Sequence, residues 1–316
     1  VLRTGCYIAA YTGRATAAAH GKNPRPMTLL PPPLLRLLLA TAALLLSGCS
    51  GMQLAYNTAD FFIERYADDY LGLDGAQMER WSPTLDAALR QHRQDELPYL
   101  AAFFDSAQND ARKGFNRADV ACLLDQFEVI YRRHFTLAAA AAAPLLADLD
   151  QGQISALERR FREEAREDAD DAARPEAERV AKRVERYADN MRWWLGELDA
   201  RQRGIVRDVV ADLPETATWY EYRDRKRREL IALLRRGASS ARVEAFLTDW
   251  LVDYSDMPPA LARSQRELRA GITDLLVRLD DSFSAAQRRQ LIDRLTGLRR
   301  DFMRLQRDPH MAPVAC

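Results

Sequence analysis

Leu291, Ile292, Leu295, Leu298, Phe302 and Leu305 recur at intervals of three and four, and only an α-helix gathers residues so spaced onto one face. Val180, Val184, Tyr187, Met191, Trp194 and Leu198 form a second such stripe, and Leu268, Ile272, Leu275, Leu276 and Leu279 a third. Strand patterning, with alternating Val, Ile, Thr and aromatics between Gly-rich turns, does not occur, whereas Ala, Leu, Arg and Glu dominate. A helix with one apolar stripe must bury it against neighbours. The expected fold is therefore all-α without sheet, an elongated multi-helix bundle built of helical hairpins. Helix boundaries are expected near Pro83, Pro98, Gly114, Pro144, Pro175, Pro214, Gly237 and the Pro258-Pro259 pair. Residues 163–178 are crowded with charge and short of large apolar side chains, which marks an exposed helical stretch or turn, and a hinge if the protein has two halves.

A run from Leu34 to Leu46, apolar except for Arg36 and Thr41, ends in Leu46-Ser47-Gly48-Cys49. That run has the length of a signal-peptide core rather than a membrane span. The four residues match the pattern at which bacterial lipoprotein leaders are cut, making Cys49 the expected lipid acceptor and first mature residue. Residues 1–48 are then an upstream extension and leader, with Met27 an alternative start, and 49–316 the helical periplasmic domain. Ser50 follows the lipid-bearing cysteine, and the sorting rule of enteric bacteria sends a lipoprotein lacking Asp there to the outer membrane. Five basic residues and no acidic one precede Cys49, so maturation leaves 41 basic against 46 acidic side chains. An acidic, exported chain is no general nucleic-acid binder. Of the four cysteines, Cys122 and Cys316 remain as thiols; they either pair, as an oxidising compartment permits, or stand as a buried thiol and a frayed terminus.

Four segments share one pattern, an apolar residue, Asp or Ser, two variable residues and Gln: Asp74 with Gln77, Asp150 with Gln153, Asp199 with Gln202, and Ser284 with Gln287. Their spacings of 76, 49 and 85 residues exclude a solenoid of fixed period. Locally each reads as a capping box, in which the N-cap side chain accepts from the N3 amide and the N3 Gln reaches back. The pattern resembles the Leu-Thr-x-x-Gln motif of the Spy/CpxP periplasmic family, which implies helical hairpins that cradle unfolded clients; here Asp or Ser replaces Thr and there are four copies rather than two. The segments Cys49 to Asn57, Asp69 to Asp74, Leu97-Pro98-Tyr99, Trp194 to Leu198, Leu213 to Thr216 and the final Ser-x-x-Gln helix resemble an uncharacterised family of proteobacterial lipoproteins. That resemblance implies the compartment and a helical fold and supplies no catalytic residue.

Sites of chemistry are sparse. His92 and Glu96, four apart, share a helix face, but two ligands do not make a metal centre, and His134 reads as the edge of a core. No motif implies a metal or a cofactor, and neither a Gly-rich phosphate loop nor a nucleophile elbow occurs. Arg223, Arg225, Lys226, Arg227 and Arg228 read either as a patch for anionic lipid or as a charged helix face offset by Glu221, Asp224 and Glu229. Trp193, Trp219 and Tyr222, with Arg223 and Arg227, are the candidate partner-binding residues, since a partner surface combines apolar contact with charge. The expected function is non-enzymatic: a membrane-tethered lipoprotein of the outer membrane, on its periplasmic face, that binds an envelope protein or unfolded clients between helical hairpins. The alternative is a structural or assembly lipoprotein with one specific envelope partner, and a more remote one is a glycan- or peptidoglycan-acting hydrolase.

Overall fold

A computed structural model describes residues 51–215 and 217–314, all within one unit, Cys49–Cys316. The expected cleavage, lipidation and sorting residues Leu46, Ser47, Gly48, Cys49 and Ser50 lie outside the described residues, as does Cys316. The protein is an all-α helical bundle, and no strand occurs among the described residues. In chain order the helices are α1 Gly51–Asn57, α2 Ala59–Leu71, α3 Gly75–Gln91, α4 Leu97–Lys113, α5 Arg117–Ala147 and α6 Gln151–Ala173. They continue with α7 Glu176–Leu195, α8 Ala200–Ala211, α9 Ala217–Arg235, α10 Ser240–Thr248, α11 Pro259–Asp280 and α12 Ala285–Leu305. Two π-helical turns interrupt this series: His92–Glu96 joins α3 to α4, and Asp249–Asp253 follows α10.

The apolar stripes become core. One cluster collects Ala107 and Ala111 of α4, Ala188 and Leu195 of α7, Val206 and Val210 of α8, Leu275 and Leu279 of α11, and Leu291 and Leu295 of α12. A second collects Ala139 and Ala143 of α5, Ile154 and Leu157 of α6, Leu230 and Leu234 of α9, Val243 and Leu247 of α10, and Leu261 of α11. Smaller clusters form around Trp81, Leu85 and Leu145, and around Leu97, Ala101, Phe302 and Leu305.

The helix pairings repeat. Contacts of α2 with α3, α3 with α5, and α2 with α6 are matched by α7 with α8, α8 with α11, and α7 with α12. The two sets then exchange a helix: α4, which follows α3, packs along α12 of the other set, and α9, which follows α8, packs along α6 of the first. Each set thus completes the other, and helices distant in sequence carry the packing as much as consecutive ones do.

Gly114 and Gly237 end helices with positive φ, where a side chain would be strained, and Pro175 and Pro258 stand at N-caps. Pro83 and Pro144 correct the expectation of breaks, since they lie inside α3 and α5. A proline there removes one helical hydrogen bond, and the packing of Trp81, Leu85, Ala143 and Leu145 around them offsets that loss. In the charged stretch, residues 163–173 continue α6 and the chain turns at Arg174-Pro175. This stretch is not solvated throughout, because Asp168 is buried against Arg223, and Glu164 meets Arg227 and the Tyr70 hydroxyl.

Candidate functional site

The four recurring helix starts all form complete capping boxes. Asp74 accepts from the Gln77 amide at 2.7 Å and Gln77 Oε1 accepts from the Asp74 amide at 3.0 Å. The same exchange occurs at Asp150 and Gln153, at Asp199 and Gln202, and at Ser284 and Gln287. A fifth box, Asn116 with Asp119, starts α5 and escaped the sequence pattern because its cap is Asn rather than Asp or Ser and its N3 residue is Asp rather than Gln.

What no single helix start reveals is that the boxes come in pairs. Gln77 Nε2 donates to Gln153 Oε1 at 2.9 Å, and Gln153 Nε2 returns a bond to Gln77 Oε1 at 2.7 Å. Each amide spends its second hydrogen on a carbonyl two residues before the partner's N-cap: Gln77 on Asp148 and Gln153 on Gly72, both at 2.8 Å. Gln202 and Gln287 repeat the arrangement, bonding each other at 2.9 and 2.8 Å and reaching the carbonyls of Ser282 and Glu197. Every glutamine therefore makes four hydrogen bonds, two given and two accepted, the whole capacity of a carboxamide. Gln77 is 4% exposed and Gln202 fully buried. These two clasps tie α3 to α6 and α8 to α12 at their N-termini and leave no motif group free for a ligand. The copies that pair are those 76 and 85 residues apart, and nothing in the sequence spacing sets them off from the pair 49 apart.

The basic run of α9 faces acids of its own fold. Lys226, 3% exposed, lies 3.0 Å from both Asp249 and Asp256. Burial alone would lower its pKa, but hydrogen bonds to Asp256 and Asp249 outweigh burial and hold it above the usual lysine value. Asp256 also accepts from Arg225 at 2.5 Å, while Arg223 meets Asp168, Arg227 meets Glu164 and Arg228 meets Asp224. The candidate partner-binding residues accordingly do not assemble on one surface. Tyr222 is 1% exposed, its ring committed to the second core; Arg223 and Arg227 are engaged with α6; and Trp219 packs at the core margin. Trp193, on α7, is exposed, meets Trp194 edge to face at 4.5 Å and lies under Arg294, whose guanidinium is 4.6 Å from its ring. Beside it, Ala286, Arg289, Gln290, Asp293 and Arg294 line a shallow, open depression along α12.

His92 and Glu96 do not converge. Glu96 is buried under a two-pronged bond from Arg133, at 2.7 and 2.9 Å, and His92 instead meets the Tyr56 hydroxyl through Nδ1 at 2.8 Å. The His92 and His134 rings pack edge to face at 4.6 Å. Burial, helped by His134 and Arg93, pulls the His92 pKa down from 6.5 to about 3, and burial lowers that of His134 too. Both rings stay neutral near pH 7. Arg93 bonds Asn57 and the Leu305 carbonyl, and Gln53 bonds Asp301, so α1 is fastened to the π-turn and to α12. Among the described residues no three His, Cys, Asp or Glu side chains are arranged to hold a metal ion, and no helix is long and apolar enough to cross a membrane.

Residues 69–257 match the model of a protein family described as "Family of unknown function (DUF6279)". No curated protein matches the chain, and no solved structure does.

Proposed function

Because the chain belongs to this family of unknown function, its role has to be read from its own residues, and we propose that it is a non-enzymatic lipoprotein, anchored through Cys49 to the periplasmic face of the outer membrane, that serves as a rigid assembly scaffold for one envelope partner. The observation that carries this reading is the pair of glutamine clasps. A cradle for unfolded clients needs an open face between capped helices, whereas here the caps meet each other and their polar groups are consumed in doing so. A partner is then met on the outer surface, and the scaffold contributes shape rather than a flexible cleft.

Two measurements test the proposal. Cells fed an alkyne-tagged fatty acid should label the wild-type protein and not the Cys49→Ala variant. In-cell crosslinking should return one envelope protein at fixed stoichiometry. A spread of many crosslinked clients, together with suppression of aggregation of an unfolded protein at low molar ratio, would overturn the scaffold in favour of client binding.

A further inference from the structure

Among the described residues, the four most exposed large apolar side chains lie on the first two helices after the expected anchor. Leu54 is 61% exposed, Phe61 63%, Phe62 60% and Tyr66 62%. Together they offer on the order of 500 Å² of largely apolar surface, the upper range for the largest patch on a monomer. The opposite side of α2 is used: Ala67 is buried, and Tyr70 and Leu71 pack into the core. Phe61, Phe62 and Tyr66 lie within about 140° of arc on the other side. The two charged side chains within that arc, Arg65 and Asp69, pair with each other at 3.2 Å. Glu64 is turned to Ser82, and Asp60 sits about 100° round the helix from Phe61, on the side away from Phe62.

We propose that this aromatic face of α2, with Leu54 of α1, rests in the lipid headgroup region and fixes the orientation of the protein on the membrane. The proposal rests on the lipid-anchor reading of Cys49. Three observations choose lipid over a second copy or a protein partner. Only Ser50 separates the expected acyl-bearing Cys49 from α1, and α1 is fastened to the body through Tyr56, Asn57 and Gln53, so the bilayer surface is held within a short reach of this face. Arg65 and Asp69 cancel within the face, which spares them the cost of approaching a low-dielectric layer unpaired, and Asp68, about 20° beyond Phe61, stands at its rim on the side of the headgroups and water. Phe and Tyr at helix surfaces are also the side chains that favour the membrane interface, with the Arg stem able to reach outward.

The test uses the acylated mature protein reconstituted in vesicles of phosphatidylethanolamine with a minor share of phosphatidylglycerol. Indole emission of Phe62→Trp is read after subtraction of the wild-type signal. Brominated lipid should quench the subtracted signal about twofold or more, as expected for a ring buried several Å into the headgroup layer, while aqueous iodide leaves it unchanged. Quenching by iodide and not by bromolipid overturns the proposal, because the face is then in water. Quenching by neither overturns it too, because a protein then covers the face. Mass spectrometry of the N-terminal peptide reports separately on the anchor: an unacylated Cys49 removes the anchor reading, whereas an acylated Cys49 with an iodide-quenched indole removes only the membrane-facing surface.

Discussion

Gln202 shows how much one side chain settles. Its four hydrogen bonds bind the Asp199 amide, both polar atoms of Gln287 and the Ser282 carbonyl. Replacing it with Leu strands several buried partners at once, so Gln202→Leu should cost about 2–4 kcal/mol in urea unfolding. Gln202→Leu with Gln287→Leu should cost less than the sum of the single changes by about 1–2 kcal/mol, because the second change removes groups the first had orphaned. Strict additivity would mean that the two amides do not act as a pair. Of the two buried histidines, His92 is the more strongly shifted and carries the larger part of their acid sensitivity. The unfolded chain takes up its proton near 6.5 but the folded chain only near 3, so between these values the unfolded state binds more protons and stability falls as pH falls. Lowering the pH from about 7.5 to about 5 should remove about 1–2 kcal/mol through this ring, and His92→Gln should flatten that part of the stability profile. A profile unchanged by the substitution would place the acid sensitivity elsewhere.

At the scale of the element, the helix starts were legible and their partners were not. Asp74, Asp150, Asp199 and Ser284 announce N-caps because the chemistry of a cap is local, lying within three residues. The second bond of each glutamine crosses to a helix start far along the chain, and no local rule reaches that far. The interior prolines misled for the same reason, since the packing around Pro83 and Pro144 is tertiary. The basic run of α9 reads in sequence either as a lipid patch or as a face offset by acids of its own helix; Asp224 and Glu229 do offset it, but most of its acids come from α6 and from the region around the second π-turn. Two helical glycines separate propensity from packing. A Cβ at Gly271 of α11 would overlap Leu213 Cδ2, whereas at Gly297 of α12 it would meet nothing within 4 Å. Gly297→Ala should therefore gain up to about 1 kcal/mol from helix propensity. Gly271→Ala should lose about 1–2 kcal/mol, because displacing a buried leucine outweighs the same gain. Thermal melts of the two variants shifting in the same direction would contradict this assignment of contacts.

For the whole molecule, the fold class followed from the stripes, because periodicity records which face a helix hides. It does not record which helix covers that face, so the exchange of α4 and α9 between the two repeated sets stayed out of sight. The exchange predicts a single cooperative transition: far-ultraviolet dichroism and tryptophan fluorescence should trace the same urea curve, even though Trp81 and Trp194 lie in different clusters. Two separated transitions would mean that the sets unfold independently. The clasps bear on time as well as on stability. Each joins segments 76 or 85 residues apart, so the loop between them must be closed and its helices largely in place before either glutamine finds its partner. Such bonds are expected to form after the folding barrier is crossed, and stopped-flow measurements on Gln202→Leu should then show refolding near the wild-type rate with the loss carried by faster unfolding. In that case the clasps act as latches: they contribute little to reaching the native state and set how long the protein remains in it.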